Sequence, residues 1–396
     1  MLQSKIDDTL SGFIGQLLLQ RRRSALLGPR RGAVISDPTT ADEVLRTPKQ
    51  FLKNFQLLQD LGSSRFTTNG TEWERRRELT QRYYARAATT LNRERVAEIY
   101  RRRLDSCEST SPSVIAHALF AASVEIFYDA FGCTVDIEPM LAFFNRARDV
   151  IKRLQYFSLI PPDAVERSAL AVQAQSLSQQ FRDEIRRSTS LEDLIAKFKA
   201  QAQMEIADFV AEDEFMMNFF AGVESTAGAL MTAIDRLGVY QDTQERLFSE
   251  TVANNGFPYL ECFINETLRY YPPAPLIIRQ AVSDVQIEGL RLKAGSIIII
   301  SIIGIHRHPA YWTEPDVFDC SRPEFVKNTY DRRAFIPFSS GIRTCGGAKL
   351  AGLELSEGLK AFIRRYTVKR QGHELSFDYT ISIRPRSWDG VEISKR

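Results

Sequence analysis

Residues 335–355 read FIPFSSGIRTCGGAKLAGLEL, and within them a single cysteine, Cys345, stands among glycines and ahead of a helix-like run. The chain has five cysteines in 396 residues, an odd number at scattered positions, which argues against a framework of disulfides. No C-x-x-C pair or cluster of histidine and cysteine is present, so a structural zinc site is not indicated either. Taken by itself, Cys345 could be a spare thiol, half of a disulfide, a nucleophile or a metal ligand.

The neighbours of Cys345 have the properties that a thiolate ligand of a haem iron needs. Gly341 and Gly347 would let the backbone approach a flat macrocycle, because glycine has no side chain to clash and accepts positive φ. Phe338 would shield the sulfur from water, and the backbone amides just after Cys345 would donate hydrogen bonds to it. Arg343 would supply a cation for the propionates.

The spacing of these residues resembles the haem-binding signature of the cytochromes P450. The residues that carry the resemblance are Phe338, Gly341, Arg343, Cys345 and Gly347, followed by Leu350, Ala351 and Glu354. The resemblance implies that Cys345 ligates the iron of haem b, where a thiolate favours O–O cleavage. The alternative is a buried cysteine without a ligand in a glycine-rich turn.

The segment FFAGVESTAGAL lies in a long helical run and resembles the oxygen-binding helix of the same family. Ala221 and Gly222 open a notch of small residues, and Glu224 places an acid in an apolar helix, which is costly without a purpose. The resemblance implies that dioxygen occupies the notch and that Glu224 relays protons with Ser225 and Thr226. Ser225 stands where the family usually has threonine, so a hydroxyl is retained and the efficiency of coupling stays open.

Two further segments fit the resemblance. Glu266 and Arg269 share one face of a helix, and Arg322 stands where the family has the third member of a buried structural trio. An ordinary surface ion pair is the alternative for Glu266 and Arg269.

Three other residues stand where the family binds haem propionates. Trp73 and Arg77 lie one turn apart on a basic helix, and Arg279 falls ten residues after Arg269. The alternative for the first two is a solvated basic face around a buried tryptophan.

Net charge and the N-terminal segment limit which partners and which compartment the chain is expected to have. A net charge of +3 gives no reason to expect nucleic-acid binding. Residues 11–23, SGFIGQLLLQRRR, are too short to span a bilayer, which takes ~20 apolar residues, and they favour an amphipathic helix packed on the body. Peripheral membrane contact is the alternative for that segment. We therefore expect a cytoplasmic protein without an integral membrane anchor.

The apolar pattern predicts a mainly α protein with small β-sheets. GAVIS at residues 32–36 reads as a strand, followed by a helix capped by Thr39 or Thr40. We expect a single large domain over residues 1–396, with a helix-rich body at about 71–271 and sheet-rich portions at about 30–65 and 275–396. The two sheet-rich portions must pair with each other, and the resemblance implies the cytochrome P450 fold.

The resemblance implies a monooxygenase that uses O2 and an external electron donor, either a ferredoxin or a flavodoxin with its reductase. A soluble, bacterial-type system is expected, with a basic docking patch for an acidic donor. The residues expected in that patch are Arg75, Arg76, Arg332, Arg333 and Lys349. Two alternatives stay open, namely a peroxide-driven enzyme of the same fold and a haem protein that binds a ligand without turnover.

A lipophilic small molecule is the expected substrate, because the segments that should line the cavity are mostly apolar. Arg384 and Arg386 stand near its expected mouth, which leaves an acidic group on the substrate open. The expected lining segments are residues 57–68, 157–162, 219–225, 274–278 and 383–388.

Overall fold

The computed structural model describes nine parts of the chain, and they include every catalytic, cofactor-binding and iron-ligating residue proposed above. The described residues are 12, 25–26, 32–54, 56–159, 163–202, 209–253, 256–372, 375–379 and 382–396. Most of the N-terminal segment 11–23 lies outside them, so its packing stays a prediction.

Helices form most of the described structure and follow the expected pattern between residues 70 and 270. Their bounds are α1 Pro38–Arg46, α2 Gly70–Thr90, α3 Arg93–Asp105, α4 Pro112–Ala130, α5 Ile137–Leu159, α6 Ala164–Arg186, α7 Thr189–Ala202, α8 Ala211–Val239, α9 Gln241–Ala253, α10 Pro258–Tyr270, α11 Ile302–Ile305, α12 Pro323–Val326 and α13 Ala348–Arg365. Polar or proline-containing segments separate α3 from α4, α5 from α6, α6 from α7 and α9 from α10.

Helix α1 begins two or three residues earlier than expected. Asp37, rather than Thr39 or Thr40, occupies the cap position, and its carboxylate accepts the amide of Thr40 at 2.8 Å. Pro38 then fills the first helical position, where a missing N–H costs nothing. The prediction failed because aspartate and threonine are comparable caps and only the backbone decides between them.

Strands from both ends of the described chain share one sheet, which confirms that the two sheet-rich portions pair. The strands are β1 Ala25–Leu26, β2 Gly32–Ile35, β3 Phe51–Lys53, β4 Leu276–Ala281, β5 Val285–Ile287, β6 Leu290–Leu292, β7 Ile297–Ser301, β8 Tyr366–Arg370, β9 Phe377–Tyr379, β10 Ile383–Pro385 and β11 Val391–Lys395. The main sheet has the order β1-β2-β7-β4-β3, and β2 runs parallel to β7. Strands β9 and β10 pair antiparallel, with Ile383 opposite Tyr379.

The core surrounds α8, which is buried along most of its length between α4, α13 and strand β8. Phe219 and Phe220 of α8 are fully buried among aromatic rings of α4, α5 and α6. Burying each such ring contributes about 1.5–3 kcal/mol, so this cluster holds α8 firmly in place. The mainly α fold with small sheets is thus confirmed.

One helix of the described residues, α4, is long and apolar enough to cross a membrane by length and composition. Two thirds of its most apolar window are buried against the rest of the chain. Buried core helices of this kind pass the same test, so this helix adds nothing to the prediction about an anchor.

Candidate active site

A cavity of about 380 Å³ lies between α8, α13, β4 and the segment around Cys345. Its volume lies within the range of small-molecule sites, ~300–1,000 Å³. Most of its wall is apolar, and four cationic side chains lie near one another in it. Apolar lining residues include Phe127, Phe131, Ala221, Gly222, Ala229, Ala274, Leu276, Ile277 and Ile278.

Cys345 stands on the wall of this cavity, unlike the other four cysteines, which are buried elsewhere, and all five thiols are free. The absence of disulfides is therefore confirmed. Burial among protein atoms raises the pKa of the Cys345 thiol, while the Gly347 amide, Arg65 and Lys53 oppose that rise. The side chain remains accessible because it faces the cavity, which is where a metal or ligand could reach the sulfur.

The loop before Cys345 is held by a backbone bond and by one glycine. The Cys345 amide donates to the Phe338 carbonyl at 2.9 Å, which closes the loop. Gly341 adopts a φ of +72°, and a Cβ there would lie 2.5 Å from the Leu45 carbonyl oxygen. The expected positive φ is present, and packing against α1 also requires glycine here; Gly341 is absent from the cavity wall, so its expected role beside a macrocycle stays a prediction.

Gly347 lines the cavity, but its backbone differs from the expectation. Its φ is −91°, so positive φ is not required. A Cβ at this position would lie 3.9 Å from the sulfur of Cys345. The missing side chain therefore keeps space beside the thiol, and Phe338 lines the same cavity.

Four cationic side chains line one end of the cavity, namely Lys53, Arg65, Arg279 and Arg343. Burial lowers the pKa of Arg343 to about 9, helped by Arg279 and Arg65, and burial lowers that of Arg279 to about 10. The pKa of Lys53 is also well below its usual value, first because of burial and then because of the arginines.

Arg279 is buried and the other three cations are half-buried, and cations that repel one another in such a setting call for an anionic ligand. The Nη1 atom of Arg343 is buried and lacks a hydrogen-bond partner among the described residues. A thiol on the wall, an apolar interior and a cationic end together fit haem b, whose propionates would meet the cations and whose iron would meet Cys345.

Of the predicted pair Trp73 and Arg77, only Trp73 lies near these cations on the cavity wall. Trp73 is buried, lines the cavity and stacks with Arg343, whose Cζ lies 4.3 Å from the ring centroid. Arg77 is exposed, lies 5.4 Å from the same ring and is absent from the cavity wall. Its position gives no support to a propionate contact, and Lys53 and Arg65 are the cations that sequence reasoning missed.

The middle of α8 reaches the cavity with four of the predicted residues. Ala221, Gly222, Ser225 and Thr226 line the wall, and the Ser225 hydroxyl donates to the Ala221 carbonyl at 2.7 Å. Glu224 is 2% exposed and is not part of the cavity wall. The structure therefore separates the acid from the hydroxyls that were expected to work with it.

Glu224 faces a network of charges instead. Its carboxylate accepts from Arg148 Nε of α5 at 2.8 Å, and Arg148 Nη2 also reaches Asp378 of β9 at 2.6 Å. Lys152 pairs with Asp378 as well. Burial alone would raise the pKa of Asp378, but Lys152 and Arg148 outweigh that effect and hold it below the usual value.

Glu354 is a second buried acid, and it lines the cavity on α13. Tyr100 Oη donates to it at 3.3 Å and also lies 3.2 Å from Ser123 Oγ. Burial raises the pKa of Glu354 to about 8, which Ser123 and Tyr100 only partly oppose. This carboxyl is therefore mostly protonated at neutral pH.

The trio predicted from the ion-pair motif forms as expected and is fully buried. Arg269 Nε lies 2.7 Å from Glu266, and Arg322 Nε lies 2.8 Å from the same carboxylate. Arg269 also donates to the carbonyl of His306 at 2.8 Å, and His306 Nε2 accepts the Ile336 amide at 2.9 Å. The trio thus supports the segment that leads to Cys345.

The expected lining segments are present in part. All residues of 274–278 except Pro275 line the cavity, and Arg65 and Phe66 do so from segment 57–68. Arg384 and Arg386 do not, and Arg386 is exposed. The side chains of 157–162 and of Leu57 lie outside the described ones.

The expected docking patch needs one correction. Arg75, Arg332, Arg333 and Lys349 are exposed, whereas Arg76 is 2% exposed. Arg76 pairs with Glu72 at the surface and with the buried Glu214, so the prediction that Arg76 belongs to the docking patch is wrong.

Comparison with known proteins gives one family. A family model described as Cytochrome P450 matches residues 24–387. Among curated proteins, "Probable cytochrome P450 4ac1" of Drosophila melanogaster is 34% identical over 203 residues, 46% of this chain and 39% of that protein. "Cytochrome P450 3A13" of Mus musculus is 30% identical over 231 residues, 54% of this chain and 45% of that protein.

"Cytochrome P450 3A5" of Homo sapiens is 28% identical over 183 residues, 43% of this chain and 36% of that protein. These alignments span less than half the length of each of the three relatives. All three come from animals, so they give no support to a bacterial type.

Proposed function

The chain belongs to the cytochrome P450 family, and on that premise we propose that it is a haem-thiolate monooxygenase. It inserts one oxygen atom of O2 into a lipophilic small molecule and takes electrons from a separate protein. The observation that carries the proposal is the position of Cys345 on the wall of a mostly apolar cavity that four neighbouring cations also line.

Haem b is the cofactor of this family, and in this chain we assign Cys345 as its iron ligand. Lys53, Arg65, Arg279 and Arg343 would hold its propionates by charge-assisted hydrogen bonds. When bound, the haem supplies the activation of O2, and the protein positions, donates and excludes water.

The chain's own residues would act on the side of the cavity formed by α8. The notch at Ala221 and Gly222 leaves room for a small ligand, and the Ser225 and Thr226 hydroxyls can each hold a proton beside it. Glu224 could take part only after turning away from Arg148, because its carboxylate is bonded there.

The proposed substrate is lipophilic because the wall beyond the cations consists mainly of phenylalanine, leucine, isoleucine and alanine side chains. An acidic substrate group near Arg384 and Arg386 has no support, since neither side chain lines the cavity. The alternative outcomes on the same fold are a peroxide-driven reaction and ligand binding without turnover.

We propose a ferredoxin or flavodoxin as the electron donor and a cytoplasmic site of action. Arg75, Arg332, Arg333 and Lys349 offer exposed positive charge for an acidic partner. If these charges steer the encounter, added salt should slow reduction by the donor. Attraction between exposed charges is largely screened beyond about 8 Å at physiological ionic strength, and this distance shortens as salt is added.

A carbon monoxide difference spectrum of the dithionite-reduced holoprotein tests the central assignment. We expect the red-shifted Soret band of thiolate ligation, lost in Cys345→Ala and kept in the matched control Cys107→Ala, whose thiol is away from the cavity. Haem-loaded wild-type protein without that band would refute the assignment. Consumption of reduced nicotinamide with donor and reductase, compared with peroxide alone, then separates the three reactions.

A further inference from the structure

The side chain of Asn69 joins three parts of the chain that meet at the cationic end of the cavity. Its Oδ1 accepts the backbone amide of Lys53 at 2.9 Å and Nη2 of Arg343 at 3.1 Å. Its Nδ2 donates to the Lys53 carbonyl at 2.9 Å. One amide group therefore ties β3, the start of α2 and the loop before Cys345 together.

Asn69 occupies the cap position of α2 without capping it. Its side chain makes no hydrogen bond to the first-turn amides, although asparagine is among the best caps. Asn92 at the start of α3 does cap its helix, since its Oδ1 accepts the Arg95 amide at 2.8 Å. The side chain of Asn69 thus bonds to Lys53 and Arg343 and not to the amides of its own helix.

The consequence for Arg343 is a fixed orientation. Nη2 is held by Asn69 and by the Thr68 carbonyl at 2.9 Å, and the guanidinium lies over the Trp73 ring. Nη1 remains buried and without a partner among the described residues. An arginine held on one side by three contacts presents its remaining donors in one direction.

The consequence for Lys53 is a fixed strand end. The backbone amide and carbonyl of Lys53 both bond to the side-chain amide of Asn69 on the outer edge of β3. On its inner edge β3 pairs with β4, where Lys53 lies opposite Arg279. The Lys53 ammonium then donates to the Phe66 carbonyl at 3.0 Å and lines the cavity.

We propose that Asn69 is a positioning residue that holds Lys53 and Arg343 so that their cations meet the carboxylates of the haem. The proposal rests on the proposed function, because it needs haem in this cavity. Asn69 itself is absent from the cavity wall and acts only through its two partners.

The test is the rate at which holoprotein loses haem to an excess of a haem-scavenging apoprotein. Asn69→Ala should lose haem roughly tenfold faster than wild type, because a hydrogen bond to a charged group is removed. Asn92→Ala is the matched control, since it removes a cap, lowers the melting temperature and should leave haem loss unchanged. If Asn69→Ala does not fold, Asn69→Ser, which keeps one acceptor, should fall between wild type and tenfold.

A double variant shows whether Asn69 works through Arg343. If it does, Asn69→Ala together with Arg343→Ala should lose haem more slowly than the product of the two single effects predicts. Fully multiplicative effects, or an Asn69→Ala rate equal to that of Asn92→Ala, would overturn the proposal. The carbon monoxide band of the wild type is measured beside these rates, so its absence would refute the proposed function instead.

Discussion

Replacing Glu354 by glutamine should remove a pH dependence of stability that the wild type carries. Burial raises the pKa of this carboxyl to about 8, from 4.5 for an ordinary glutamate. The folded state then holds the proton more tightly than the unfolded chain does. The stabilisation is complete below pH 4.5 and is lost as pH rises through about 8.

The size of the effect follows from the two pKa values. At about 1.4 kcal/mol per pH unit, the wild type should lose about 4 kcal/mol of stability between pH 5 and pH 9 on account of Glu354. That is a large share of the 5–15 kcal/mol that usually separates folded from unfolded protein. Glutamine keeps the shape and can still accept from Tyr100, but it has no proton to lose.

The assay is urea unfolding of the holoprotein at several pH values. At each pH the free energy of unfolding of Glu354→Gln is subtracted from that of the wild type. Other titrating groups cancel in this difference. Glu94→Gln, at an exposed position of α3, is the control and should follow the wild type. If Glu354→Gln lost stability with pH in parallel with the wild type, the reasoning about the buried acid would be refuted.

Two further substitutions test the loop and the buried trio. Gly341→Ala should lower the free energy of unfolding by about 2 kcal/mol or more, because φ is +72° and the new Cβ would clash with Leu45. Gly352→Ala, in open space on α13, should instead raise it by about 0.5–1 kcal/mol. Equal melting temperatures for the two variants would contradict this. Glu266→Gln should cost about 3–5 kcal/mol, because it leaves Arg269 buried without its counter-charge, and thermal unfolding within 1–2 °C of wild type would argue against a structural role.

Local sequence was enough for the helices and for the thiol. Breaks such as the one before Pro112 are set by proline and polar residues within a few positions, and the structure follows them. The segment around Cys345 carries its chemistry within ten residues, and the trio of Glu266 combines a helical spacing with one distant arginine. These features were predictable because their causes lie close together in the chain or in a recognisable motif.

Only the tertiary structure decided which charged groups face the cavity. Lys53 reaches the cavity because β3 pairs with β4, which places Lys53 opposite Arg279. No local sequence pattern predicts a contact between residues so distant in the chain. Glu224 and Ser225 are adjacent, yet a helix turns by about 100° per residue, so adjacent side chains point in different directions and need not reach the same surface. The hydroxyl of Ser225 lies on the cavity wall, and the acid turns to Arg148 of another helix.

The sequence by itself therefore determined the mainly α architecture, the family and the position of the thiol in the chain. Those depend on periodicity, turn residues and a compact motif. The tertiary structure decided the direction of each side chain, including the use of Asn69 as a link rather than a cap. The reason is physical: a side chain's direction is set by contacts with elements that folding alone brings together, and charges are the groups whose meaning changes most with that environment.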